Sequence, residues 1–226
     1  SGATGSGGGA GALATAQAVT AGTLTINGSV GSKDVAVVAA TSAKTIAAQI
    51  NNVSGDTGVS ATARTDVKAV FSAAGNYALT IKSDNSTAET VTFSLTAGSG
   101  DALSTAITAI NDKSAKTGVT ATLNADKSGI ILTNATGNDI SIADTATANA
   151  GTTILTALAV DGTTALGTAR TLAADTTADT SIVVGQISFN SEKTFSVSQA
   201  AAGTNILGAA GLVTTASALN KVSDID

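Results

Sequence analysis

The chain contains no cysteine, histidine, tryptophan, methionine or proline. Without Cys there is no disulfide, no thiolate metal ligand and no thiol nucleophile, which fits work outside the cell without reliance on oxidation. Without His, the side chain that titrates nearest neutral pH is missing, and acid–base catalysis would fall to Lys or carboxylates. Glu is scarce too, with only Glu89 and Glu192. Aromatics are just 2% of the chain (Phe71, Tyr77, Phe93, Phe189 and Phe195), so the core must be built from Ala, Val, Ile and Leu. Such a core is thin and suits several small layers better than one deep globule. Net charge is −5 with few charged residues, which argues against nucleic acid, whose binding needs clustered Lys and Arg. No run of eighteen apolar residues occurs, so no membrane span is expected. The lack of Met leaves no natural start, and an excised or processed chain is expected.

What is present is a stretch that occurs twice. Ile50-Asn51, followed by Thr57-Gly58-Val59-Ser60-Ala61, returns sixty positions later as Ile110-Asn111 and Thr117-Gly118-Val119-Thr120-Ala121. A kept spacing with a changed connector points to one supersecondary unit used twice. Before the first copy, Thr23-Leu24-Thr25-Ile26 alternates and Asn27-Gly28 signals a hairpin, with a return strand at Val35 to Val38. Ala43, Ile46, Ala47, Ile50 and Val53 then share a helical face. Thr41 is placed as the N-cap of this helix and Asp101 as its counterpart in the second copy. Gly58 and Gly118 are placed as helix exits, and Val59 and Val119 as strand starts. Asn51 and Asn111 lie at helix C-terminal ends and read as structural capping residues rather than catalytic ones.

The fold expected is α+β and β-rich. It consists of tandem β-α-β-β-β units whose small antiparallel sheets are each covered by one short helix. Residues 1–20 read as a Gly/Ala-rich lead-in, 21–87 as the first unit and 88–145 as the second. Residues 146–216 read as a C-terminal hairpin region packing back near the N-terminus, and 217–226 as a tail. Within the first unit, Val59 to Ala63 and Val67 to Phe71 read as separate strands. Ile182 to Phe189 and Thr194 to Val197 read as a hairpin turning at Asn190 to Lys193. Ile154 to Val160 is a short helix or strand, residues 143–180 otherwise carry no clear periodicity, and Asn205 to Ala210 suggests a helical turn.

Functional constellations are sparse. The Gly5 to Gly9 run has neither a preceding strand nor a following Lys and reads as linker, not phosphate loop. No Gly-x-Ser-x-Gly elbow is present, and no enzymatic activity or cofactor is expected. Asp139 with Asp144, or Asp224 with Asp226, offers oxygen ligands for calcium, but neither pair has a recognised calcium-loop spacing. They read as turn and cap carboxylates, and no metal site is assigned. Asn27, Asn52, Asn85 and Asn134 match the N-glycosylation sequon, as chance alone provides in so Asn/Ser/Thr-rich a chain.

Thr23 to Gly28, Ile46-Ala47-Ala48-Gln49-Ile50-Asn51 and Thr57 to Ala61, with the second copy Ala106 to Asn111 and Thr117 to Ala121, resemble the "IN" motif of bacterial flagellins and related hook-associated proteins. The tail Leu219 to Asp226 is similar to the segment where flagellins re-enter their helical core. The resemblance implies an outer, surface-exposed variable region of a filament subunit, extracellular on the bacterial flagellum. Other flagellin subunits are its implied partners, O-linked glycans on exposed Ser or Thr its implied modification, and a monomer the expected state of the isolated piece. Two alternatives stand beside it: an extracellular adhesin or carbohydrate-binding module, and a filament cap or hook-associated protein.

Overall fold

The computed structural model describes residues 2–6 and 19–200. Fourteen strands and four helices are described. Strand β1 is Gly2–Ser6; β2 (Gly22–Asn27) and β3 (Ser32–Val37) form a hairpin; helix α1 is Ala43–Asn52 and α2 the single turn Ser54–Thr57. Then come β4 (Ser60–Phe71), the hairpin of β5 (Gly75–Lys82) and β6 (Glu89–Leu95), and a 3-10 turn at Gly100–Leu103. Helix α3 (Ser104–Asn111) follows, then α4 (Ser114–Thr117), β7 (Val119–Leu123), β8 (Ile130–Asn134) and β9 (Ile140–Asp144). The last elements are β10 (Thr153–Leu158), β11 (Ala165–Leu172), β12 (Thr180–Val183), β13 (Gln186–Asn190) and β14 (Ser196–Ala200). The fold is α+β and strand-rich, with small antiparallel sheets and few short helices.

Along the chain, each helix has a strand before it and three strands after it: β3, then β4, β5 and β6 for α1; β6, then β7, β8 and β9 for α3. Pairing groups the strands differently. A hairpin precedes each helix and one strand leaves it, so the repeated module is hairpin, helix, one-turn exit, strand.

The modules have separate cores. Leu24, Ile26, Val35, Val37, Ile46, Ile50, Val59, Ile187 and Phe189 form one around α1. The other lies between the four-stranded sheet β12-β9-β5-β6 and the β4, β7, β8, β10 and β11 part of the large sheet, with α3 against it. At its centre Phe71 meets Tyr77 and Phe93 edge-on at 5.0 and 5.4 Å, while the latter two stack at 5.5 Å. All five aromatics thus pack in the interior or against it.

Strand β4 joins the two. Its first half pairs with β13, and its second half pairs with β8 and β10. The expected break between Ala63 and Val67 does not occur. The polar Arg64-Thr65-Asp66 step stays inside the strand because its groups are satisfied there: Thr65 Oγ1 donates to Asn138 O at 2.8 Å, and Asp66 accepts from Arg64 Nε and Thr133 Oγ1 at 2.5 Å each. Ala61, Thr65, Val67, Ala69 and Phe71 are all buried, so the odd-numbered positions line first one core and then the other.

Three further expectations change. Gly2–Ser6, read as part of a flexible lead-in, forms an edge strand on β13, where bare backbone suffices for pairing. The 182–189 run divides at Val184-Gly185: β12 joins β9, β13 joins β4, and β14 pairs with β2 rather than with β13. At Gly185 a side chain would sit 2.5 Å from Gly137 O and 2.7 Å from Thr65 Oγ1, so the chain crosses between sheets where only glycine fits. Residues 153–158 and 165–172 are the hairpin β10–β11. Asn205 to Ala210 and the tail from Ser217 lie outside the described residues.

Candidate functional site

The repeated stretch is an architectural site, and its atoms repeat as faithfully as its letters. Ile50 and Ile110 are buried anchors on the inner faces of α1 and α3. The next residue turns its amide onto the strand beyond the exit. Asn51 Nδ2 donates to Ala61 O at 2.8 Å, and Ala61 N donates to Asn51 Oδ1 at 2.7 Å. In the second module Asn111 makes the same pair with Ala121, at 3.0 and 2.7 Å. These side chains therefore pair with a strand as a neighbouring peptide would. They are structural, but they do not cap their helices.

The exit between them is also copied. Ser54 Oγ donates to Asn51 O at 2.7 Å, and Ser114 Oγ to Asn111 O at 2.6 Å. The buried Thr57 hydroxyl donates to Val53 O and accepts from Val59 N, as the Thr117 hydroxyl does with Lys113 O and Val119 N. Gly58 and Gly118 follow with φ of 73° and 68°, the left-handed exit that glycine takes without Cβ strain. Val59 and Val119 then enter the two cores at 0% exposure.

Each hairpin turn closes onto its own exit. Val30 N donates to Thr57 O at 3.4 Å, and Asp84 N to Thr117 O at 2.9 Å. The first contact explains Gly28: a Cβ there would lie 1.7 Å from Thr57 O. Gly28 is thus set by a long-range approach rather than by a tight turn, since the loop runs through Gly31. Surface ion pairs repeat the theme, Lys33 with Asp56 at 3.3 Å and Lys116 with Glu89 at 3.1 Å. The bond to Lys116 is the main cause holding the Glu89 carboxyl below its usual range, helped by the charge of Lys113. Exposed pairs of this kind contribute little to stability.

The two expected caps are corrected. The α1 cap is Ser42, whose hydroxyl accepts from Thr45 N at 3.4 Å, while Thr41 Oγ1 bonds Val38 O. Asp101 sits in the first turn of the 3-10 segment without a capping bond and pairs with Lys127 at 3.5 Å.

The modules meet where the β8–β9 loop crosses the start of α1. Lys44 N donates to Gly137 O at 3.1 Å, and Ser42 Oγ to Asn138 Oδ1 at 3.0 Å. Asn134, a sequon residue, is buried here and donates to Ser83 and Asp84. A cleft of about 560 Å³ beside this junction is lined by Thr41, Ser42, Thr45, Lys82 and Asp139, among others. Burial raises the Asp139 carboxyl to about 6, against the lowering pull of the Gly185 N–H. Among the described residues, nothing in the repeated site pairs a nucleophile with a base. Its polar groups are engaged with backbone, so what it does is hold a hairpin, a helix and a strand together.

The family model for the flagellin hook IN motif matches residues 23–75 and 78–136. Each match contains a hairpin, the helix that follows, its exit and the strand beyond, and the second match runs on through β8. A B-type flagellin of Pseudomonas aeruginosa is 38% identical over 90 residues, which cover 39% of this chain and 18% of that protein. The doubled hairpin–helix–strand module therefore has a family: the chain belongs to the flagellins that carry the hook IN motif, with two motifs in tandem.

Proposed function

We propose that the chain is a structural part of a bacterial flagellar filament, the outer variable region of a flagellin. It decorates the filament on its extracellular face, serves motility and contacts neighbouring flagellin subunits. The observation that carries this reading is the doubled IN module, copied down to the Asn–strand pair and the Thr–Gly exit. In this reading Ile50, Asn51, Gly58 and Val59, with Ile110, Asn111, Gly118 and Val119, are the structural residues of two building blocks, and no catalytic role falls to them. O-linked glycans would attach to exposed Ser or Thr of the sheets. The buried aromatics speak against the carbohydrate-binding alternative, because stacking platforms for sugars must be exposed and Tyr77 and Phe93 are 1% and 8% accessible.

The test is removal of residues 19–200 from the full-length protein, replaced by a short Gly/Ser linker. The proposal expects filaments that still polymerise and are narrower by electron cryomicroscopy. Loss of polymerisation would place the assembly contacts in this region and overturn its assignment as outer decoration.

A further inference from the structure

The cleft beside the module junction, about 560 Å³, has the size of a small-molecule site. Its floor is the outer face of the four-stranded sheet. There Lys82 of β5 lies opposite Ser141 of β9, and Ser141 opposite Ile182 of β12, so the three side chains stand in one row. Their chain neighbours Ile81, Ile142 and Val183 point the other way, into the core. One wall is built by the start of α1 and the β8–β9 loop, and it is fixed from within the chain. Ser42 Oγ donates to Asn138 Oδ1 at 3.0 Å and accepts from Thr45 N at 3.4 Å, and Asn138 Nδ2 donates to Asp84 Oδ1 at 2.8 Å. At the head of this wall Ala40 takes φ of 58°, in the left-handed region that side chains other than glycine seldom enter. Backbone strain of that kind persists where the surroundings hold it, and it gathers at binding sites.

What the cleft leaves unspent is a cation and hydrogen-bond donors. Lys33, Lys68, Lys113, Lys116 and Lys127 each have a carboxylate partner. Lys82 has no ion pair or side-chain hydrogen bond among the described residues, in a chain of net charge −5. The carboxylates beside it are directed elsewhere. Asp84 Oδ1 accepts from Asn134 and Asn138 at 2.7 and 2.8 Å, and Asp139 Oδ1 accepts from Gly185 N at 3.2 Å. Ser141 Oγ also has no partner among the described residues. Ser83 Oγ accepts from Asn134 Nδ2 at 2.9 Å, which leaves its own proton to give. An ammonium and two hydroxyl donors on one floor suit a carboxylate brought from outside the chain. Thr45, Asn138 and Asp139 on the wall can meet polar atoms only, so the remainder of such a ligand is hydroxylated.

We propose that this cleft binds a small hydroxylated carboxylic acid, of the class of a uronic acid, with its carboxylate on Lys82 Nζ and Ser141 Oγ and its hydroxyls along the Thr45–Asn138 wall. Recognition runs through charge and hydrogen bonds, with Ile182 as the apolar contact, so the site needs no stacked aromatic ring. An exposed ammonium contributes little per contact, which sets a weak affinity, with a dissociation constant on the order of 1 mM. The cleft lies outside the repeated exits, and its ligand is independent of the filament reading.

The test is an NMR titration of the whole 226-residue chain with glucuronate at constant ionic strength, with glucose as the neutral control. Saturable shifts are expected at the amides of Lys82, Ser83, Ser141 and Ile182 with glucuronate, and none with glucose. Lys82→Met should weaken glucuronate about tenfold and Ser141→Ala about threefold, while Lys33→Met, on β3, keeps wild-type binding. Both altered side chains stand on the outer face of the sheet, so the variants keep the fold, which the unshifted remainder of their spectra checks. No saturable shift in the wild type overturns the proposal. So does a response centred away from the cleft, one that glucose reproduces, or one that survives Lys82→Met unchanged.

Discussion

Asn51 and Asn111 each replace a strand's missing neighbour with a side-chain amide. Removing that amide leaves a backbone N–H and a carbonyl without partners in a part-buried place. Asn51→Ala and Asn111→Ala should each cost roughly 2–3 kcal/mol, measured by denaturant unfolding. Aspartate keeps the acceptor but loses the donor and brings charge, so Asn51→Asp should rescue little. The Ile-Asn doublet was legible because both copies keep it. Its partners at Ala61 and Ala121 were not, since a bond to backbone leaves no mark on the residue type that receives it. The same holds for the caps. Thr41 and Ser42 are adjacent hydroxyl residues, and only the backbone path decides which faces Thr45 N.

Asp139 adds a pH dependence. Its folded carboxyl lies at about 6, above the 3.8 of a free carboxyl, so folding favours the protonated form. The contribution is present at low pH and is lost as pH rises through about 6. Stability should increase between pH 7 and pH 5 by about 1 kcal/mol, less whatever solvent screens at this half-buried site. Asp139→Asn should flatten that slope in thermal unfolding. Asp126 and Asp161, both lowered to about 2 chiefly by side-chain bonds from Ser128 and Thr164, act in the opposite sense. Their contribution is lost only as pH falls from about 4 toward 2, outside that window.

Among the elements, the helices α1 and α3 and the first hairpin, β2–β3, were legible from period and turn chemistry, and the pairing of the later strands was not. A polar triplet looked like a break in β4, because its three partners come from β8, the β8–β9 loop and within the triplet itself. The run around Ile182 looked like one strand because nothing local marks the crossing; the constraint at Gly185 comes from Gly137, Thr65 and Ala43. Gly28 likewise looked like a turn glycine, but its demand comes from Thr57 O. Gly28→Ala should therefore destabilise more than Gly58→Ala. The latter costs about 1 kcal/mol for a left-handed residue, whereas the former must push hairpin and exit apart. Paired denaturation curves decide the order, and equal losses would remove the hairpin–exit contact from the account.

For the whole molecule, two modules share one strand and one loop junction, so they should unfold together. The chain of 226 residues should behave as a monomer of 21.6 kDa in light scattering, as the proposed outer-region reading expects. Native filaments carry the most direct test of the central claim, that this is the outer region of a filament subunit. Gold-labelled antibodies raised against residues 19–200 should decorate intact flagella along their full length. Label confined to the distal tip or the hook, or absent from flagella while present on the cell surface, would contradict it.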